Sequence, residues 1–451
     1  MIHPLFRRFA YPILFLSLAF AWTSCGSNTG VKALFQQRTP YEAYEQGLRQ
    51  ADLHRSALGQ AWILAGQKAL QDSLLVTLPF RETAYFRAEQ PAAAGYSFRA
   101  RQGEMLEVDV TTRSRQDIRL FLDLFENGSP HARELKQVAA ADTTQIKLSY
   151  RVSGDQVYLV RLQPELLKSG SFTITISTRP SLAFPVQGKD SRAVQSFWGA
   201  ARDAGARQHE GVDIFAARGT PVLASTRGLV TRVGETPIGG KVIWLADAEN
   251  RQSIYYAHLD RHLVQAGQQV VPGDTLGLVG TSGNARGTHP HLHFGIYAHG
   301  GAVDPFPFIH QNNNKPAPMR VNGSWLGEWA RSSRSNATLR TAPHPRAAAL
   351  ALVPRHTAVQ VVGGSGSWFR VTMPNGLQGY LQEGHLEKIS KPIKTQTLLA
   401  DAELVEQPLP LAAPVASISK NVPVAVVGIY QHYRLVRLAD GTLGWLNNQQ
   451  I

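Results

Sequence analysis

From about residue 75 the chain is written in short runs that alternate apolar with polar side chains. A period of two puts residues i and i+2 on one face of an extended strand, and no helix buries such a pattern. This alternation limits the chain to a mainly β fold. "YSFRARQGEMLEVDVTT", "DIRLFLDLFE", "KLSYRVSGDQVYLVRLQP" and "GSFTITISTRP" are separated by Gly, Ser, Asp and Asn, and predict a β-sandwich-like domain over 76–180. Nothing catalytic clusters there, so a positioning or binding module is expected. Over 188–308, "GTPVLASTRGLVTRVG", "KVIWLADAE", "SIYYAHLD" and "DTLGLVGTSG" predict an antiparallel sheet with tight turns. At 451 residues the chain exceeds one ordinary core, and 18% charged against 43% hydrophobic residues marks it as globular.

The N-terminus departs from this pattern. In "TPYE", Thr39 caps, Pro40 takes the first helical position and Glu42 closes a capping box. Apolar residues then recur at helical spacing, so 31–72 is expected to be helical, as a spacer or a packing module. Ahead of it, Arg7 and Arg8 precede an apolar run from Phe9 to Trp22, and a small polar stretch leads to Cys25. Residues 1–24 read as an export signal. They resemble a bacterial lipoprotein signal, which implies acylation of Cys25 as a lipid anchor and an exported, periplasm-facing protein in the cell envelope. Residues 25–75 then form the anchor and helical segment. Cys25 is the only cysteine, so no intrachain disulfide is available. Net charge is +13, and removal of Arg7 and Arg8 leaves about +11. That suits a polyanionic partner. Nucleic acid is not expected, because no basic cluster interleaved with aromatics is present.

The chemistry concentrates in "GTHPHLHFGIY", residues 287–297. His291 and His293 share one face of a strand, with Leu292 on the other. Upstream, "RQHEGVDIF" supplies His209 and Asp213, read as a loop entering a strand because Gly211 and the β-branched run oppose a helix. Two imidazoles and a carboxylate give three protein ligands with a fourth position open to water, the pattern of a catalytic zinc site. "YYAHLD" adds His258. His262 is expected at the surface, His289 lies in the loop before the motif, and His310 reads as linker.

These residues together resemble the lysostaphin/LytM-type zinc metallopeptidases, family M23. The ordered features are His209-x-x-x-Asp213 after Phe197–Gly199, "YAHLD" with His258, "GTSG" before "HPHLHFG", and "VDPFPF" at 303–308. The resemblance covers 188–308. It implies that His209, Asp213 and His293 bind Zn2+, and that His258 and His291 are the catalytic second-sphere histidines. Gly295 stands where glutamate is frequent, a position that carries no ligand.

Residues 309–334 are polar and read as a linker. Beyond them, 335–390 ends in a strand pair with "GLQGY", and 396–451 repeats it with "GTLGW". Val359, Trp368, Val371, Gly376, Gly379 and Tyr380 match Val424, Tyr433, Val436, Gly441, Gly444 and Trp445. Both segments resemble the SH3-like bacterial cell-wall module, the second as a possible copy. The expected architecture is thus a helical segment, a sandwich, the peptidase domain and one or two small SH3-like β-barrels. The expected function is zinc-dependent hydrolysis of peptide cross-links in bacterial peptidoglycan. A non-enzymatic wall scaffold or activator and a peptidase for other proteins remain alternatives. The first 160 residues are long enough to cover the groove and impose latency. Oligomeric state leaves no mark in the sequence.

Overall fold

The alternating runs become strands. A computed structural model describes residues 38–450, apart from 115, 128–134, 203–204 and 299. The expected export signal and Cys25 lie outside the described residues.

Among the described residues two helices come first, α1 (Pro40–Gln50) and α2 (Ala57–Gln71). The Ser56 hydroxyl caps α2 by accepting from the Gly59 N–H at 3.1 Å. Tyr41, Tyr44 and Trp62 from these helices pack on Phe121. The Trp62 indole donates to the Pro164 carbonyl at 2.7 Å. The Arg161 guanidinium lies 3.4 Å from the Tyr41 ring centre and is paired with buried Asp123. The helical segment is therefore a packing module on the sandwich.

That sandwich has strands β1 (Phe80–Phe86), β2 (Ala94–Ala100), β3 (Glu104–Arg113), β4 (Leu120–Asn127), β5 (Leu135–Ala140), β6 (Lys147–Arg151), β7 (Gln156–Pro164) and β8 (Gly170–Pro180). One sheet runs β2-β7-β4-β5 and the other β1-β8-β3-β6. Their inward residues, among them Phe98, Leu124, Val160, Leu106, Phe172 and Ile174, form one apolar core.

Residues 194–298 build a further sheet and a small hairpin from β9 (Val194–Ser196), β10 (Ala201–Arg202), β11 (Arg207–Gln208), β12 (Val212–Phe215), β13 (Pro221–Leu223), β14 (Gly228–Thr236), β15 (Gly240–Asp247), β16 (Gln252–His262), β17 (Thr275–Val279) and β18 (His291–Ala298). Its main order is β9-β12-β18-β16-β15-β14, β17 pairs with β13 and β16, and β10 and β11 form a separate hairpin. One face of the main sheet buries Val212, Ile214, Leu245, Tyr256, Leu292, Phe294 and Ile296. The opposite face carries the polar groups described below.

The C-terminal part has β19 (Trp329–Ser332), β20 (Ala358–Ser365), β21 (Trp368–Thr372), β22 (Gln378–Gln382) and β23 (Leu386–Lys388). It then repeats three of them as β24 (Pro423–Tyr430), β25 (Tyr433–Arg437) and β26 (Leu443–Asn447). Val361 pairs with Val371 and Val371 with Gly379; Val426 pairs with Val436 and Val436 with Gly444. Register shifts fall at Val361/Gly363 and at Val426/Gly428, so even the bulge is repeated. Strand pairing leaves both C-terminal sheets open among the described residues, with no closed ring.

Two features were not expected. Residues 309–334 are not linker throughout: Val321 is buried, and β19 pairs with both β20 and β23. The sandwich and the first C-terminal unit also share a sheet, through Thr83↔Gly364 and Ala84↔Gly363. Glu82 is buried at this junction. It accepts from the Tyr96 hydroxyl at 2.7 Å, the Tyr380 hydroxyl at 2.8 Å and Arg370 Nη2 at 2.9 Å. The second unit rests on the first, where Arg331 donates to the carbonyls of Lys391 and Val427.

Candidate metal centre and groove

The register of β12 against β18 sets the centre. Asp213 lies directly opposite His293, and Phe215 opposite His291. Alternation then sends Asp213, Phe215, His291 and His293 to the polar face, while Val212, Ile214, Leu292 and Phe294 go to the core. His209 reaches the same point from the end of the β10–β11 hairpin, whose base is closed by reciprocal backbone hydrogen bonds, Gly199 N–H to His209 O and His209 N–H to Ala200 O.

His209 Nε2, Asp213 Oδ1 and His293 Nδ1 make a nearly equilateral triangle. Its sides are 3.0 Å (His209–His293), 3.0 Å (His209–Asp213) and 3.1 Å (His293–Asp213). The protons do not account for this. His209 Nδ1 faces the Phe197 carbonyl at 3.0 Å, which can only accept, so Nδ1 carries the hydrogen and Nε2 is a lone pair. Three lone-pair donors thus converge with at most one proton, on His293, between them when both rings are neutral. Tetrahedral ligation with bonds of about 2.0–2.1 Å spaces ligand atoms roughly 3.3 Å apart. The triangle therefore fits a small divalent cation, and the three residues all line the groove.

Electrostatics point the same way. Burial raises the Asp213 carboxyl, and only hydrogens or positive charge at His209 and His293 bring it below the usual carboxylate range; where those nitrogens are lone pairs, a cation between them would supply that charge. Burial lowers His293 and so favours the neutral, ligating form. Gly211 is required for close approach, since a Cβ there would come within 2.6 Å of the His293 ring.

His258 arrives by a different route. A register shift on β16 between Tyr256 and Leu259 inserts an extra residue, and His258 takes a left-handed backbone conformation at φ 61°. The bulge turns its side chain toward the groove beside Ala257. The Ser282 carbonyl accepts from His258 Nδ1–H at 2.9 Å. The loop that presents Ser282 packs backbone to backbone on Gly240. Gly283, at φ 69°, leaves no room for a Cβ, which explains the glycine closing "GTSG". His291 is held similarly: its Nδ1–H donates to the His289 carbonyl at 2.8 Å, and its ring stacks on Phe215. In both histidines Nε2 is the nitrogen left for the groove. Their ring centres lie 5.1 Å apart, and His258 is 5.8 Å from His293. Burial, then the neighbouring His293 and His291, push His258 down to about 4, so it is neutral at neutral pH.

All five residues singled out from the sequence line one groove of about 1060 Å³. Its lining runs from Ser196 to Tyr297, so no described residue of the first 160 enters it. His289 is exposed and contributes only its carbonyl. His310 stacks on Phe306 outside the groove, and His262 is half-buried instead of fully exposed. The sequence reading missed the aromatic wall of Trp244, Tyr255 and Tyr297. These three become neighbours only once β15, β16 and β18 are in register. It also missed Arg202, whose Nη2 donates to Asp213 Oδ2 at 2.6 Å.

Residues 207–305 match the family model of peptidase family M23. The chain is similar to the L-Ala–D-Glu endopeptidase of Bacillus subtilis, 38% identical over 139 residues, or 28% of this chain and 42% of that protein. It is similar to the peptidoglycan DD-endopeptidase ShyC of Vibrio cholerae, 34% identical over 99 residues, or 22% of each chain. Among solved structures it is similar to the catalytic domain of the antimicrobial peptidase lysostaphin from Staphylococcus simulans, at 32% identity and a TM-score of 0.24, covering 26% of this chain and 90% of that one. The chain spans less than half the length of the two curated relatives named here.

Proposed function

We propose that the chain is an exported zinc-dependent endopeptidase that hydrolyses the peptide cross-links of bacterial peptidoglycan. The observation that carries this reading is the triangle of three protein donors, short of protons and open on one side to a peptide-sized groove. His209, Asp213 and His293 would hold the zinc. When bound, zinc supplies Lewis acidity, enough to bring the pKa of a water from 15.7 to roughly 7.

The remaining chemistry belongs to the chain. His258 and His291 present Nε2 to the groove from opposite strands, each ring fixed by a backbone carbonyl on Nδ1. This pair takes the proton that a water gives up as it attacks the scissile carbonyl. It then stabilises the oxyanion as imidazolium and returns the proton to the leaving amine. The aromatic wall shapes the groove for an extended peptide and excludes water from one flank.

The repeated C-terminal units, with their likeness to SH3-like wall modules, and the positive charge suit attachment to a polyanionic wall. Because the first unit shares a sheet with the sandwich, it would present the enzyme from a fixed platform. Acylation at Cys25 would place that platform at the membrane surface of the periplasm.

Digestion of purified sacculi and defined muropeptides by the full chain, with product masses read with and without chelator, tests the reading. Cleaved cross-links that chelator abolishes are expected. Intact muropeptides after long incubation with the zinc-loaded protein would contradict it.

A further inference from the structure

The groove accounts for His209, Asp213, His258, His291 and His293, and leaves Arg202 without a role. Arg202 sits on β10, paired with Arg207 across the hairpin. Its Nη2 donates to Asp213 Oδ2 at 2.6 Å and to the Ser196 hydroxyl at 2.7 Å. Ser196 lies opposite Asp213 in the β9–β12 register, and its hydroxyl is 3.3 Å from His209 Nδ1. The contacts close a ring, Asp213–Arg202–Ser196–His209–Asp213, around two of the three donors.

We infer that Arg202 is a positioning residue that holds Asp213 to one-oxygen ligation. This rests on the zinc reading above. A free carboxylate offers a cation both oxygens. Here Oδ2 is taken by a charge-assisted hydrogen bond, and only Oδ1 faces His209 Nε2 and His293 Nδ1. One oxygen from Asp213 and one nitrogen from each histidine leave a position for water, whereas a second oxygen would crowd it. The same bond sets the carboxylate's rotation about its last torsion, which the backbone leaves broad. Partners of this kind, outside the ligands themselves, commonly change metal affinity by 10–100-fold when removed. The hairpin thus has two tasks: its second strand delivers His209, and its first orients the carboxylate that His209 meets.

The test measures zinc affinity by chelator competition, with circular dichroism as a check on folding, for the full-length wild type, Arg202→Ala and Arg202→Lys. The visible spectrum of the cobalt-substituted forms is recorded in parallel. Arg202→Ala is expected to bind zinc roughly 10–100-fold more weakly. Its cobalt bands should weaken as Asp213 turns to offer both oxygens and coordination number rises. Arg202→Lys, which keeps the charge and one donor, should recover much of both. Unchanged zinc affinity and cobalt spectrum in folded Arg202→Ala would overturn the inference, as would a lysine variant no better than alanine. A wild type that takes up no zinc would instead remove the reading beneath it, so the two failures are distinguishable.

Discussion

Two buried carboxylates in this protein each pair with an arginine, and the sites differ in what is left over. At the junction of the sandwich and the first C-terminal unit, Glu82 is fully buried and receives two phenol hydrogens and one guanidinium hydrogen bond. Burial raises Tyr96 and Tyr380 well above the usual phenol range, so both remain donors. Both carboxylate oxygens are engaged by donors, and the one buried atom left unpaired, Arg370 Nε, is itself a donor that no cation could use. In the groove, Arg202 saturates one oxygen of Asp213, while the other meets two imidazole nitrogens that lack the protons to bond it and each other. Burial and charge are common to both sites. Unmet acceptor capacity, exposed on one side, is what separates a chemical site from a structural lock.

Substitutions that erase the difference have the largest effects. Asp213→Ala or His293→Ala removes one corner of the triangle, and zinc content and sacculus hydrolysis should both fall to background in protein that still folds. Metal analysis and zymography measure this together. At the other cluster, Glu82→Ala leaves Arg370 buried and unpaired. It should cost about 3–5 kcal/mol in denaturant unfolding, while zinc content per folded molecule stays at the wild-type level. A large loss of zinc in folded Glu82→Ala would break the comparison.

Subtler changes sharpen it within the groove. His291→Ala should keep its zinc and lose about 10²-fold in turnover, because it removes a proton-handling group and no corner of the triangle. The smallest effect concerns pH. His258 is held near 4 in the folded chain against 6.5 ordinarily, so between those values the unfolded state binds more protons. Stability of metal-stripped protein contributed through His258 is therefore present above about pH 6.5 and lost as pH falls toward 4, on the order of 3 kcal/mol. His258→Gln should flatten that part of the stability profile.

Much of the groove was legible in the sequence because its residues obey local rules. Period-two alternation put His291 and His293 on one face, and the spacing of His209 and Asp213 around Gly211 signalled a loop entering a strand. His258 carried no such sign of its placement, since its orientation depends on a bulge that alternation does not show. Arg202 was invisible for a related reason: its contact with Asp213 exists only after the β10–β11 hairpin folds back. The repeat of the C-terminal units could be read from Val371/Gly379 and Val436/Gly444. The sheet that ties the first unit to β1 could not, because Glu82 and Tyr380 stand 298 residues apart and alternation does not name a strand's partner. For the same reason 309–334 read as linker, although β19 lies within it.

The most direct test of the central claim is the zinc stoichiometry of purified full-length protein by native mass spectrometry, beside His209→Ala. One zinc per wild-type chain and none in the variant is the expected result. A wild-type chain that holds no zinc when supplied with it, or a variant that holds as much, would contradict the account.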